Sequence, residues 1–413
     1  MSFQSGLSGL NAATKNIDII GNNVANASTV GFKSSRAIFS DVYASALSGA
    51  GSSNIGIGTA IASVQQQFTQ GNITVTNNPL DLAVNGRGFL RFDNNGSVAY
   101  SRNGQLHLDS TGYIVNANNL KLTGYPVDVN NKIVQSAPVP IRLSTSDISP
   151  SATTKIEATL NLDSRAQPIG AAFDPTNAST YTSSTSTAVY DSLGNPHSLT
   201  FYFAKAAGAG AWDLHATVDG GAVAAVNLGA GAGNPVTLTF NSSGVLTPPP
   251  AMPLAGVAVT VAGGAVTPLV TSLDFTGSTQ FGAEFAVSSL SQDGFTSGRL
   301  TGVDVSEDGT ILGRYSNGQA NTLGQIVLAN FANQEGLRPV GNNLWEESAD
   351  SGGPVVGTPR TGSFGSIQSA AVEDSNVDLT KELVDMITAQ RIYQANAQTI
   401  KTQQTVDQTL INL

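Results

Sequence analysis

The stretch FQSGLSGLNAATKNIDIIGNNVANA, residues 3–27, decides how the rest of the chain is read. From Phe3 onward Leu7, Leu10, Thr14, Ile17, Gly21 and Val24 return at alternating spacings of four and three, the seam of a helix that packs lengthwise against another. The same spacing returns far downstream in Leu379, Leu383, Met386, Gln390, Tyr393, Ala397, Ile400 and Gln404. Ser375 with Asp378 resembles a capping box just ahead of that run, so the second helix is predicted to begin there and to end near Ile411. Head and tail are predicted to be helical and little else is.

Between them the pattern changes. Residues 75–142 read as short strands broken by Asp93-Asn94-Asn95-Gly96, Arg102-Asn103-Gly104 and Asp109-Ser110-Thr111-Gly112, which is hairpin-turn chemistry. The texture returns over residues 300–345, with Glu307-Asp308-Gly309 and Ser316-Asn317-Gly318. The intervening Ser144–Ser291 stretch is rich in Ala, Gly and Thr and reads as one domain inserted into another. The fold class expected is therefore mainly β with terminal α-helices in nested, discontinuous domains. Residues 1–70, helix and connector, pair with helix 366–413 in a coiled-coil-like pole. Segments 71–143 and 292–365 form an inner β domain, and 144–291 an outer, inserted β domain. The Gly/Ser-rich run Ala44–Gly58 is read as a flexible connector from the helical pole to the β domains.

The helical seams are weak for a free-standing coiled coil, because Thr14, Gly21, Gln390 and Gln404 stand where Leu or Ile is wanted. Burying Leu7, Leu10, Ile17, Ile20 and Val24 does not offset the ordering of so long a backbone with Gly6, Gly9 and Gly21 in it. Amides such as Asn23, Asn26, Gln390 and Asn396 suit a wet, repetitive helix interface better than a dry core. The expected interface is therefore between copies: Leu7, Leu10, Ile17, Ile20, Asn23, Val24 and Asn26 on the first helix, and Leu379, Leu383, Met386, Ile387, Gln390, Tyr393, Asn396 and Ile400 on the second. A small bundle with the chain's own β domain is the plainer alternative.

Bulk properties remove other classes. A formal net charge of -10 without a Lys/Arg cluster repels a phosphate backbone, so nucleic acid is not expected as a partner. With no cysteine there is no disulfide, thiolate metal site or thiol nucleophile. No run approaches ~20 apolar residues, so membrane insertion is not expected, and Met1–Leu10 lacks the pattern of a cleavable signal. His107, His197 and His215 are scattered without zinc spacing. Asp304–Gly309 opens like a calcium loop, but Tyr315 stands where a bidentate Glu is needed. Gly86-Arg87-Gly88 leads into a strand and not into the helix of a dinucleotide site. No G-x-S-x-G elbow occurs. No enzyme, cofactor or metal is expected. An adhesin with a Thr/Ser/Gly-rich β centre is the rival from another class, although it would not require helices at both ends.

Several blocks together resemble a known family. Ser5-Gly6-Leu7 through Asn22-Asn23-Val24-Ala25-Asn26, then Val30-Gly31-Phe32-Lys33, is similar to the N-terminal signature of bacterial flagellar rod and hook proteins. Leu80–Val84 with Gly86–Phe89 and Tyr100–Gly104 resembles the first β segment of the longer members. Ser375–Leu379, Glu382, Met386-Ile387, Gln390-Arg391, Tyr393 and Asn396 match their C-terminal motif. Tyr190–His197 and Gln292–Phe295 resemble the hook members, a distal rod subunit being the alternative. The resemblance implies a homopolymeric, curved and flexible tube outside the cell that transmits torque. It also implies type III export without a cleaved signal, and contact with the rod's distal end, a hook cap and hook–filament junction proteins.

Overall fold

The computed structural model describes residues 3–43, 56–94, 96–128, 131–144, 146–248 and 252–411. Helix α1 covers Phe3–Ala25 and helix α2 covers Leu379–Ile411. They run antiparallel: Gly6 lies against Ile400, Gly9 against Asn396, and Asn23 reaches Glu382. The cap of α2 is Asp378, whose Oδ1 accepts from the backbone N–H groups of Thr380 and Lys381 at 2.9 and 3.2 Å. Ser375 is not the cap; its hydroxyl accepts from Val377 N, because Asp378 stands directly before the first helical residue.

The segment after α1 departs from expectation. Strands β1 (Ser35–Tyr43) and β2 (Gly56–Gln66) pair antiparallel from Ser35↔Gln66 to Tyr43↔Gly56. The Gly/Ser-rich run therefore joins two strands of one hairpin and does not join the helices to the β domain; Ala44–Ile55 lie outside the described residues. The hairpin leans on α1, where Ser8 Oγ accepts from Thr59 N at 3.3 Å.

The chain divides into two compact units, Met1–Thr145 with Thr301–Arg314 and Ala320–Leu413, and Ser146–Leu300 with Tyr315–Gln319. In the first, a thirteen-stranded sheet is stitched from both sides of the insertion. Phe92 pairs with Leu122 within the early segment, while Leu90 pairs with Leu328, Ser101 with Leu344, and Tyr125 with Gln325 across it. Its core holds Leu82, Val84, Leu90, Phe92, Leu122 and Leu328. Beside it Phe68, Phe89, Tyr100, Phe331 and Trp345 meet edge to face.

In the second unit a five-stranded and a six-stranded sheet share one apolar core. Strand Lys155–Asp163 buries every second residue, Ile156, Ala158, Leu160 and Leu162, which is the period of a half-buried strand. Phe201 and Phe203 of the opposing sheet pack on Phe275 at centroid distances of 6.0 and 5.8 Å. Gln292–Leu300, expected in the inner domain, packs with this unit.

Candidate functional site

The helix pair is held by its smallest residues. A Cβ on Gly9 would lie 2.9 Å from the Asn396 amide and one on Gly6 3.0 Å from Ile400 Cγ1, so the two backbones approach where a side chain would hold them apart. The buried residues of α1 are Gly6, Ala12, Ala13, Ile20 and Asn23. On α2, Ala389 is the one buried residue among the described side chains.

This corrects the position of the seam. Within one chain it follows Gly6, Gly9, Ala13, Ile20 and Asn23, about one position round from the aliphatic stripe that the spacing suggested. Of the expected interface residues, Ile20 and Asn23 are buried, and Leu10, Ile17, Val24, Asn26, Met386, Asn396 and Ile400 are half-buried. Leu7, Leu379, Leu383, Ile387, Gln390 and Tyr393 are exposed, Leu383 at 49% and Ile387 at 52%. Bulky aliphatics are pushed outward because glycine and alanine occupy the line of closest approach. Gly21 sits over open space.

The base of the helices is fixed by a buried charged node. Gly31 turns the chain at φ +70°, and a Cβ there would lie 2.5 Å from Asn103 N; its own N–H donates to Glu373 O at 2.7 Å. Half-buried Phe32 follows, and then Lys33, whose Nζ donates to Glu373 Oε1 at 2.6 Å and to Thr69 O at 2.7 Å. Arg102 Nη1 donates to Glu373 Oε2 at 3.0 Å and to Val84 O, and its Nη2 to Gly86 O at 2.7 Å. The side chains of Lys33 and Glu373 are fully buried. Burial pulls the Lys33 ammonium and the Arg102 guanidinium below their ordinary pKa values, and the charge of Glu373 offsets part of that pull.

Two amides extend the node. Asn23 accepts from Ser35 N at 2.9 Å and donates to Ser35 O and to Glu382. Burial holds the Glu382 carboxyl above the usual range. Asn376 accepts from Ser34 N at 2.7 Å and donates to Gln67 O and Thr69 Oγ1. The end of α1, the start of β1, residues 67–71 and the approach to α2 thus share one set of hydrogen bonds. Glu373, at its centre, escaped the sequence reading; with its neighbour Asp374 it merely ends the uncharged run 361–372.

The other candidate chemistry resolves into packing. Glu307-Asp308-Gly309 is a hairpin turn with Gly309 at φ +79°. Gly86 and Gly88, both at positive φ, bend the chain between two strands. His215 stacks on Phe173, and His197 lies between two aspartates. Among the described residues no group of three or more His, Asp or Glu side chains could hold a metal.

Paired terminal helices, a β domain built from two segments and a second β domain inserted in it define a helix-ended, nested β protein. Four family models match in that order. "Flagella basal body rod protein" covers residues 3–33 and "Flagellar hook protein FlgE/F/G D1 domain" covers 83–157. "Flagellar basal body protein FlaE D2 domain" covers 161–295 and "Flagellar basal body rod FlgEFG protein C-terminal" covers 368–413. Over its whole length the chain is 41% identical to flagellar hook protein FlgE of Escherichia coli (strain K12) and to that of Salmonella typhimurium, each covered in full. It is 35% identical to the Rhizobium meliloti protein of the same name, of which 98% is covered. The chain belongs to the flagellar hook protein family. Lys33, Arg102 and Glu373 fall one in each of three matched segments, so the buried node ties the N-terminal, first β and C-terminal modules together.

Proposed function

We infer that this protein is the structural subunit of a bacterial flagellar hook, a self-assembling tube that bends while it carries torque. The observation that carries the reading is the pair of helices that meet each other through Gly, Ala and Asn while Leu7, Leu379, Leu383, Ile387 and Tyr393 face outward. Apolar side chains on a polar-seamed helix pair gain burial from neighbouring copies. Contacts built from amides and hydroxyls can be remade as the tube bends. Residues 146–300 supply the outer domain.

Membership of the family supports the following setting. The subunit acts outside the cell, reaches its place by flagellar type III export, adds to the distal end of the rod beneath a hook cap and is followed by hook–filament junction proteins. Export of a largely unfolded chain suits a sequence without cysteine.

Electron microscopy of the concentrated, purified chain tests assembly, with hydrogen exchange on monomer and polymer alongside. Tubes are expected, and exchange in both helices slows on assembly. A chain that never polymerises, with both helices already fully protected as a monomer, would sink the reading.

A further inference from the structure

In the inserted unit, the turn Tyr190–His197 does more than reverse the chain between strands Ser183–Tyr190 and Pro196–Lys205. Asp191, fully buried, organises it: Oδ1 accepts from Leu193 N at 2.8 Å and Asn195 N at 2.9 Å, and Oδ2 accepts from Asn195 Nδ2 at 2.9 Å. His197, 9% exposed, places Nε2 3.3 Å from Asp191 Oδ2 and Nδ1 2.7 Å from Asp219 Oδ2. Asp219 stands just past the strand Ala211–Val218 and also accepts from Ser198 N. These two carboxylates, one from the turn and one from the strand end, are the charged groups facing the ring. An ionised carboxylate only accepts, so both ring nitrogens must donate, and only the imidazolium does that.

The same turn supports the place where the chain enters and leaves the unit. The two connecting segments touch through two isolated bridges, Ile148↔Gly298 and Ser151↔Phe295. Gly194, at φ +82°, lies so close to them that a Cβ would be 2.6 Å from Pro150 and 3.3 Å from Thr296 Cα. Buried Thr153 N donates to Tyr190 O, Thr153 Oγ1 accepts from Tyr190 N, and the same hydroxyl donates to Gln292 Oε1 at 3.0 Å. The neck's own rungs are the backbone bonds of these two bridges, Asn317 Nδ2 donates to Thr296 O at 2.7 Å beside them, and the turn adds the contacts just described.

We infer that protonated His197 is a brace which, through the Asp191 turn, holds the neck of the inserted unit, and that the neck loosens when the ring loses its proton. Burial alone would lower the imidazole's pKa, but the hydrogen bonds and charges of Asp219 and Asp191 outweigh it and hold the value above the ordinary one. Burial pushes the Asp191 carboxyl up, yet the bonds from Asn195, His197 and Leu193 bring it down to about 2. A raised imidazole contributes its stability below the ordinary histidine value and loses it as pH rises through the raised one. A lowered carboxylate contributes above the ordinary carboxylate range and loses it as pH falls through about 2. The brace is therefore closed from above about 2 to the ordinary histidine value and opens as pH rises through the raised one. That a looser neck alters bending rests on the hook reading; the brace itself does not.

The test uses the full-length monomer. NMR titration of the His197 ring gives its protonation, and exchange protection of the Leu193, Asn195 and Ser198 amides, corrected for the intrinsic pH dependence, gives the state of the turn. Protection is expected to be lost progressively as the ring deprotonates. His197→Gln removes the pH step, and Asp219→Asn moves the ring's titration toward the ordinary value. A ring titrating at or below the ordinary value, or a step that persists unchanged in His197→Gln, overturns the brace. Should His197→Gln lose the Trp212 environment of the folded unit, the unsubstituted chain and Asp219→Asn decide alone. Because the readout needs no polymer, its failure is separable from a failure to assemble.

Discussion

The inserted β unit and the helix pair are drawn from the same charge-poor sequence and built to opposite rules. In the insert, alternate residues of Lys155–Asp163 and Pro196–Lys205 enter one dry core with Trp212, Phe201 and Phe203 at its centre. In the pair, α2 has 33 residues, yet Ala389 is the one buried residue among its described side chains, and the seam is closed by Gly6, Gly9, Asn23 and Asn396. One region buries its apolar residues within a single chain, whereas the other holds its geometry at the base and leaves most of α2 exposed. On the assembly reading proposed above, a polymer subunit separates where it is stable from where it associates. The buried Lys33–Glu373–Arg102 node lies wholly in the first unit and fixes the base of the helix pair there.

The largest effect on the isolated chain is expected at that node. Glu373→Gln leaves two buried cations without a carboxylate and should cost about 3–5 kcal/mol of unfolding free energy. The two tryptophans report the two units separately, Trp345 in the first and Trp212 in the second. In a Trp212→Phe background the Trp345 transition moves to lower denaturant, while in a Trp345→Phe background the Trp212 transition stays in place. An equal shift of both would break the comparison, because the units would then unfold as one. Gly31→Ala should cost less, about 1–3 kcal/mol, since it forces a Cβ into the left-handed region and against Asn103 N. The same Trp345 melt reads it, and an unmoved midpoint would mean that the turn has slack which the geometry denies.

Local signals were legible, and long-range partnerships were not. The spacing of four and three located both helices, α1 filling all but the last two residues of the stretch 3–27, and α2 ending at the expected Ile411. Turn chemistry was equally direct: Asp109 Oδ1 accepts from Thr111 N and Tyr113 N, and Gly112 follows at φ +86°. Which stripe of α1 faces α2 was not readable, because Gly6 and Gly9 count as weak helix formers by propensity but as points of contact in packing. The β1–β2 hairpin was hidden by the Gly/Ser-rich run between its strands, whose composition is that of a linker. Glu373 had no local mark, since its partners Arg102 and Lys33 lie 271 and 340 positions away.

The smallest effect on the monomer belongs to the substitution that separates the two regimes most sharply. Leu383 is 49% exposed, so Leu383→Asp places a carboxylate in water and should leave the Trp345 midpoint within about 0.5 kcal/mol of the parent. In a polymer the same carboxylate would be taken out of water without a partner, and sedimentation should find no tubes at concentrations where the parent assembles. Ile20→Asp is the control, because Ile20 is 5% exposed and packs within the chain, so its loss should register already in the exchange of the monomer's helices. If Leu383→Asp polymerised like the parent, the outward stripe would not be the face that neighbours cover, and the division between stable base and associating face would fail at the helices.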